Sequence, residues 1–343
     1  MDVSIIVRSK DEADRLKLTI ASLSVQTVPV EVVVVNDGSS DHTREVLSAA
    51  GSMVALQRID NPVPMGRAAA SNAGAAVASG DVLLFLDGDV LAAPDLAARH
   101  LEIHRVHSDR VARGQTWHLR QTRLFQDPAT GSPMPGEAER VSRMSGAERR
   151  ASLVTAEAIL GDFASVEALA QPAIYPGVGP RRLYDIEMDA LRSAPHCATL
   201  WAAASGHNLS LPRDAFLSSG GFHPRLDINE HRELALRLCG EGLSMTSVAG
   251  RSYHMTHRKG WRDPLADPAW MTHFHRAHPT PAVALLPVLW NSLAERPGIP
   301  PAARITSLPA LSAAAARIPP GLTPDQAVAE HLRLSTALEM SPA

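Results

Sequence analysis

The chain has 343 residues, enough for one large α/β domain or two modest ones. With 33 Lys and Arg against 36 Asp and Glu, a net charge of -3 and 45% hydrophobic residues, the balance is that of a globular protein and excludes a nucleic-acid partner recognised by basic charge. No apolar run approaches the roughly 20 residues of a membrane span, and the amino terminus lacks a basic-then-apolar leader pattern. A cytoplasmic protein is expected, with peripheral contact at the inner membrane face through an amphipathic surface left open. Cys197 and Cys239 read as buried thiols of a reducing compartment.

Taken in order, Val3–Val7 is a short apolar strand, and Leu16, Ile20 and Leu23 recur at helical spacing between residues 12 and 25. Glu31–Asn36 is a second strand, ending in Asp37-Gly38-Ser39-Ser40-Asp41, a turn that also starts a helix from Thr43 to Ala50. A third strand near residues 54–59 leads through Asn61-Pro62 and Gly66 into a small-residue helix from Arg67 to Ser79. Val82–Val90, reading VLLFLDGDV, is a strand buried on both faces that carries Asp87 and Asp89 around Gly88. Strand alternating with helix implies a parallel sheet with helices on both faces. Right-handed crossovers then bring Asp11, Asp37, Asp87 and Asp89 to one carboxyl edge, where open α/β sheets bind ligands. Carboxylates there suit Mg2+ or Mn2+, and Gly88 turns the backbone so that one or both reach one ion. By itself an Asp-x-Asp also marks an ordinary acidic turn.

The order of VVNDGSSD at 34–41, the helix closed by Ser-Gly-Asp at 79–81 and Leu-Asp-Gly-Asp at 86–89 resembles family 2 glycosyltransferases of GT-A fold, across roughly residues 1–105. The resemblance implies a nucleotide-sugar donor and a divalent metal. By it, Asp37 hydrogen-bonds the uracil of a UDP-sugar, Asp11 or Glu12 lies near the base and ribose, and Asp87 and Asp89 hold the metal on the diphosphate. Arg67, together with Arg8, Gly66 and Gly88, falls among the donor-binding positions, Arg67 as an anion contact. As a helix-starting turn residue, Asp37 also has a purely structural reading.

A second block has Ser205–Leu211, Gly220-Gly221-Phe222, then Asn229-Glu230-His231-Arg232-Glu233-Leu234 and Arg237-Leu238. It looks like the acceptor half of the same family, with a galactosyltransferase-like C-terminal stretch, in which Gly221 turns close to the sugar. There an acidic pair, usually Glu-Asp, supplies the general base; this chain has Glu230-His231. Either the carboxylate or the imidazole is the base, or transfer is lost. Nine of the fifteen histidines lie between His196 and His278. By the resemblance, a histidine of this stretch completes the metal's coordination, His254 as the one that follows the strand and His257 in reserve, and an imidazole beside carboxylates favours Mn2+ over Mg2+. His273, His275 and His278 read as the surface of a helix.

Between these blocks, residues 109–200 show a strand at Val111–His118, a Pro/Gly-rich loop at 126–136, helices near 147–160 and 166–169, and another loop at 172–180 before Arg181-Arg182, which read as solvated. They form an insertion that shapes the acceptor site, or a helical pad over the sheet. A strand at Ser244–Ala249 precedes His254. From 279 onward the chain is rich in Ala and Pro, with helical patches at 283–293 and 327–338, suited to a docking helix or dimer arm with a mobile end.

The expected fold is α/β, a GT-A fold: a Rossmann-like, mostly parallel sheet with helices on both faces, plus a helical insertion and a C-terminal helical extension. Its expected parts are a nucleotide-sugar half at 1–108, the insertion at 109–200, an acceptor half at 201–278 and the extension at 279–343. The expected activity is metal-dependent, inverting transfer from a UDP-hexose or UDP-N-acetylhexosamine to a hydroxyl on a glycan, lipid-linked sugar, peptide or small molecule. A homo-oligomer is compatible with it. Two alternatives are a nucleotide-sugar-binding protein without transfer and a nucleotidyltransferase. Against the latter, residues 8–12 lack the glycine of a triphosphate loop.

Overall fold

The computed structural model describes residues 1–51, 54–172, 183–257 and 264–339; the loop at 173–180 and Arg181-Arg182 lie outside the described residues. Four strands, β1 (Val3–Ser9), β2 (Glu31–Asp37), β3 (Leu56–Asn61) and β4 (Val82–Asp87), run parallel in the order β3-β2-β1-β4. Helices α1 (Ala13–Leu23), α2 (Thr43–Ala50) and α3 (Arg67–Val77) link them. Successive side chains of a strand face opposite sides, so each apolar run feeds two cores. Ile5, Val7, Val34 and Leu84 pack with Leu16, Ile20 and Leu47, whereas Ile6, Val33, Leu83 and Phe85 pack with Ala68 and Ala75. The small residues of α3 are needed for this contact. A Cβ on Gly74 would lie 2.6 Å from the Ile6 side chain.

The run from 82 to 90 is not one strand. β4 stops at Asp87, and β5 (Val90–Ala92) joins the far side of the sheet, which continues β4-β10-β6-β11-β5. Here β6 is Arg110–Leu119, β10 is Leu209–Pro212 and β11 is Ser244–Met255. A separate hairpin is made by β7 (Phe125–Asp127) and β8 (Ser132–Pro133), and β9 (Gln171–Pro172) pairs with β6. β10 is antiparallel to both neighbours, and β11 is parallel to β6 but antiparallel to β5. β11 outruns its expected end at Ala249 by six residues, so Tyr253 and His254 belong to the sheet.

The expected helix at 147–160 is two, Gly146–Ala151 and Ala156–Gly161, because Ser145 and Thr155 each cap a new start. Val154, Ile159, Phe163 and Val166 are buried against the α1 face, as the pad reading requires. The C-terminal extension is no free arm. Trp290, Leu308 and Leu311 join the α3-face core together with Trp270 and Phe274, and His331 Nε2 lies 2.8 Å from the Ala303 carbonyl. Each such large side chain, once buried, stabilises by about 1.5–3 kcal/mol.

Candidate active site

The carboxyl ends of β1, β2 and β4 meet as expected, but the two carboxylates around Gly88 diverge. Asp87 ends β4, and its Oδ1 accepts from Arg8 Nε at 2.6 Å, while His207 Nδ1 lies 2.7 Å from its Oδ2. Arg8 ends β1 in register with Asp87, and its Nη1 donates to Glu230 at 2.8 Å. Burial works against the guanidinium, but Asp87 and then Glu230 raise its pKa above the ordinary value. Burial likewise opposes the Asp87 charge, and Arg8 and His207 nonetheless hold its pKa far below the usual carboxylate range. Each Asp87 oxygen thus already has one protein neighbour. Contrary to expectation, Asp87 is not in the cluster of potential metal ligands found among the described residues.

That cluster is Asp89, His254 and His257. Gly88 carries the chain across from β4, its N–H donating to the Arg8 carbonyl at 2.9 Å. The Asp89 carbonyl accepts from Met255 N–H at 2.9 Å, which seats the residue on β11. His254 Nε2 lies 3.1 Å and His257 Nε2 2.6 Å from Asp89 Oδ2, and one ligand atom from each residue falls within 4.8 Å of the others. Asp89 Oδ1 is buried without a hydrogen-bond partner among the described residues. A buried orphan oxygen is costly, and it is the kind of atom a cation would take up. One carboxylate and two imidazoles suit Mn2+ or another borderline divalent ion better than Mg2+. Both histidines face the site, so the choice between His254 and His257 does not arise in this geometry.

Two further imidazoles were missed in the sequence. His118, at the end of β6, has its ring centroid 5.2 Å from that of His254, and His207 lies 5.9 Å from His254. Burial, and then His254 and His207, push His118 down to about 2, so it is neutral. Register is the signal that finds it, since His118 pairs with His254 across β6 and β11.

In the block expected to form the acceptor side, Glu230 opens the helix Glu230–Gly240 and is buried. Burial alone would raise its pKa, but Arg8 first and then His231 bring it far below the usual range. His231 Nδ1 is 3.8 Å from Glu230 Oε2, and its Nε2 faces Arg232 Nη1 at 3.0 Å. Burial is the main cause that lowers His231 to about 4. Behind it, Arg232 Nη2 donates to Glu187 Oε1 at 2.7 Å, and Arg113 Nη1 to Glu187 Oε2 at 2.5 Å. Glu187 lies on the helix Leu183–Ser193, where nothing in the sequence marked it.

The other expected donor residues are near the edge but differently engaged. Asp37 accepts from Asn61 Nδ2 and the N–H groups of Met65 and Gly66 at 2.8, 2.8 and 3.0 Å, so it braces the loop that leads into α3. Gly66 has φ +91°, and a Cβ there would sit 2.6 Å from Asp227 Oδ1. Arg67 is exposed in the first turn of α3 and contributes to the field on Glu230. Asp11 receives Ser40 N–H at 2.7 Å and Lys10 Nζ at 2.6 Å; against burial, these bring it to about 2. Glu12 sits against Gly88, and burial followed by Asp89 and Asp87 raises its pKa well above the ordinary value. The resemblance put Glu12 near base and ribose, yet its neighbours are the paired aspartates. Gly221 is clamped to the fold: its carbonyl accepts from Arg237, and the adjacent Phe222 N–H donates to Asn72 at 2.8 Å. His278 is not merely surface, because its Nε2 meets Glu233 at 2.8 Å.

Among the described residues, no helix is long and apolar enough to cross a membrane. Residues 4–150 match the family described as Glycosyl transferase family 2. Validoxylamine A glucosyltransferase of Streptomyces hygroscopicus is 26% identical over 251 residues, which are 71% of this chain and 53% of that protein. Other curated relatives are matched over 24%, 30% and 33% of their own length, so the chain spans well under two thirds of each. Among solved structures, the mannosyltransferase PcManGT of Pyrobaculum calidifontis, in complex with GDP-Man and Mn2+, is similar over 99% of this chain and 80% of its own, with TM-score 0.52 and 17% identity. TarS 1–349 of S. aureus, in complex with UDP-GlcNAc, is similar over 86% and 70%, with TM-score 0.51 and 13% identity. Residues 4–150, somewhat under half of the chain, match the glycosyl transferase family 2 domain, and the fold is that of GT-A glycosyltransferases.

Proposed function

We propose that the chain transfers a sugar from a nucleoside-diphosphate sugar to an acceptor hydroxyl, with a divalent cation, Mn2+ before Mg2+, held by Asp89, His254 and His257. The observation that carries this reading is the convergence of these three residues at the carboxyl edge of the sheet, with the buried Asp89 Oδ1 unpartnered. A cation bound there supplies Lewis-acid stabilisation of the charge on the leaving diphosphate. Arg67, exposed at the start of α3, offers an anion contact to the same diphosphate. Asp87 holds Arg8 in place, and Arg8 in turn fixes Glu230.

Glu230 is the base of this proposal. It is ionised, and a carboxylate has about four lone-pair sites, of which Arg8 takes one. It accepts the acceptor's proton as the acceptor oxygen attacks the anomeric carbon and the bond to the diphosphate breaks. A single displacement of this kind inverts the anomeric centre. The relatives in hand bind UDP-GlcNAc in one case and GDP-Man in another, so a UDP-sugar is the first donor to try and a GDP-sugar the second.

Calorimetric titration of UDP and of GDP, with and without Mn2+, tests the donor site. Binding that requires Mn2+ and disappears in Asp89→Ala is expected. If neither nucleotide binds with or without Mn2+, the reading fails.

A further inference from the structure

His231 stands where the resembling family carries a second carboxylate, and its surroundings decide what it can do there. Four groups meet it: Glu230 and Arg232 on its own helix, and, across the loop that contains Gly206, Arg8 and His207. Arginine has donors and no acceptor. An Arg232 Nη1 3.0 Å from His231 Nε2 therefore donates to it, and Nε2 must carry a lone pair rather than a proton. In a neutral imidazole the single proton then resides on Nδ1, which lies 3.8 Å from Glu230 Oε2, beyond hydrogen-bond distance, and has no other partner among the described residues.

Arg232 is itself held from four directions. Nε donates to the Ala202 carbonyl at 2.8 Å, Nη1 also to Asn229 Oδ1 at 2.8 Å, and Nη2 to Glu187 at 2.7 Å; its guanidinium lies 5.4 Å over the Trp290 ring. Glu187 is fully buried and shared with Arg113, so the guanidinium cannot swing away without stranding a buried carboxylate. Resting on the assignment of Glu230 as base, we infer that His231 is a positioning residue: Glu187 and Arg232 fix its Nδ1–H tautomer, and that N–H is directed at the Glu230 carboxylate. His231 thus accepts no proton from the acceptor. Its only lone pair is occupied, and protonation of Nε2 would set a second cation against Arg232. The depression of His231 to about 4 fits this, since burial and Arg232 both disfavour the charged ring.

Nitrogen NMR of the full chain with labelled histidine, assigned by difference against His231→Gln, reads the ring without any substrate. Expected is a protonated Nδ1 and a bare Nε2, unchanged from about pH 5 to 8. A proton on Nε2, or a ring that titrates near 6.5, overturns the inference. Arg232→Met should release the ring, giving a titration midpoint at least one pH unit higher, and Arg232→Lys, which keeps a cationic donor, should restore most of the suppression. If Arg232→Met does not fold, the wild-type ring and the Arg232→Lys ring decide. In kcat/KM against pH, His231→Gln should leave the shape of the profile unchanged; loss of an acidic limb in that variant would make His231 the base. Unchanged transfer in Glu230→Gln would remove the base assignment while leaving the tautomer measurement intact, so the two failures are distinguishable.

Discussion

Asp87 faces a buried arginine and Asp89 faces two imidazoles, although one glycine separates them. Arg8 is a permanent cation, so the charge of Asp87 is neutralised within the protein; Arg8 reaches on to Glu230, and His231 stands between Glu230 and the Arg232–Glu187 pair. The imidazoles beside Asp89 can be neutral, and neutral imidazoles leave a carboxylate able to take an external cation. One arm therefore leads to Glu230, and the other leaves a carboxylate and two imidazoles placed so that they could hold a cation. The cause lies in the backbone: β4 ends at Asp87, and the next residues cross to pair with β11.

The severest test of this division is Glu230→Gln, at the far end of the Asp87 arm. Transfer should fall by about 10²–10⁴-fold, with nucleotide binding retained, as measured by single-turnover kinetics. Next, Asp89→Ala should lower transfer by roughly 10²–10³-fold and abolish any rise in Tm that Mn2+ produces in the native protein, while Asp87→Asn should keep that rise. If both variants lose it, the two arms are one site. Without metal the order reverses. Asp87→Asn removes one partner of a largely buried charge pair, which costs at most about 3–5 kcal/mol, so its urea midpoint should fall below that of Asp89→Asn.

A smaller effect should come from histidines with no carboxylate at all. His100 and His104, packed from α4 (Leu96–Val106) onto Ser210 and Asn208, are pushed by burial to about 3 and about 4. In the unfolded chain they titrate near 6.5. Their contribution is full above pH 6.5 and is lost as pH falls toward 4, because only the unfolded state binds the protons. Tm should drop by a few degrees between about pH 7 and pH 5, and less in His104→Asn.

The donor half was legible because its motifs are local. Apolar runs such as Val32–Val35 and their acidic ends are contiguous, so sequence order alone brings Asp11, Asp37 and Asp87 to one edge. What a motif cannot express is direction. Asp-Gly-Asp named both carboxylates but not their divergence, and Asp37 was recognised while its three hydrogen bonds to the loop at 61–66 were not. His118, Glu187 and His207 were missed because each reaches the site from a remote segment, with no spacing to betray it. In the extension, Ala and Pro masked a core contribution that depends on the few large side chains, Trp290 among them.

β10 is four residues long and runs against both neighbours, with four paired positions on β4 and two on β6. A reversed strand presents its beginning, not its end, at the edge where the donor carboxylates gather, which is why His207 arrives just before Leu209. The chain between β6 and β10 does not set the register of β1 to β4, although its Glu187 braces Arg232 and its Val154, Ile159 and Phe163 pack on the α1 face. Such a sheet lets β1 to β4 keep their register while the stretch between β6 and β10 varies, and a graft of that stretch from a related protein must bring a carboxylate to the place of Glu187.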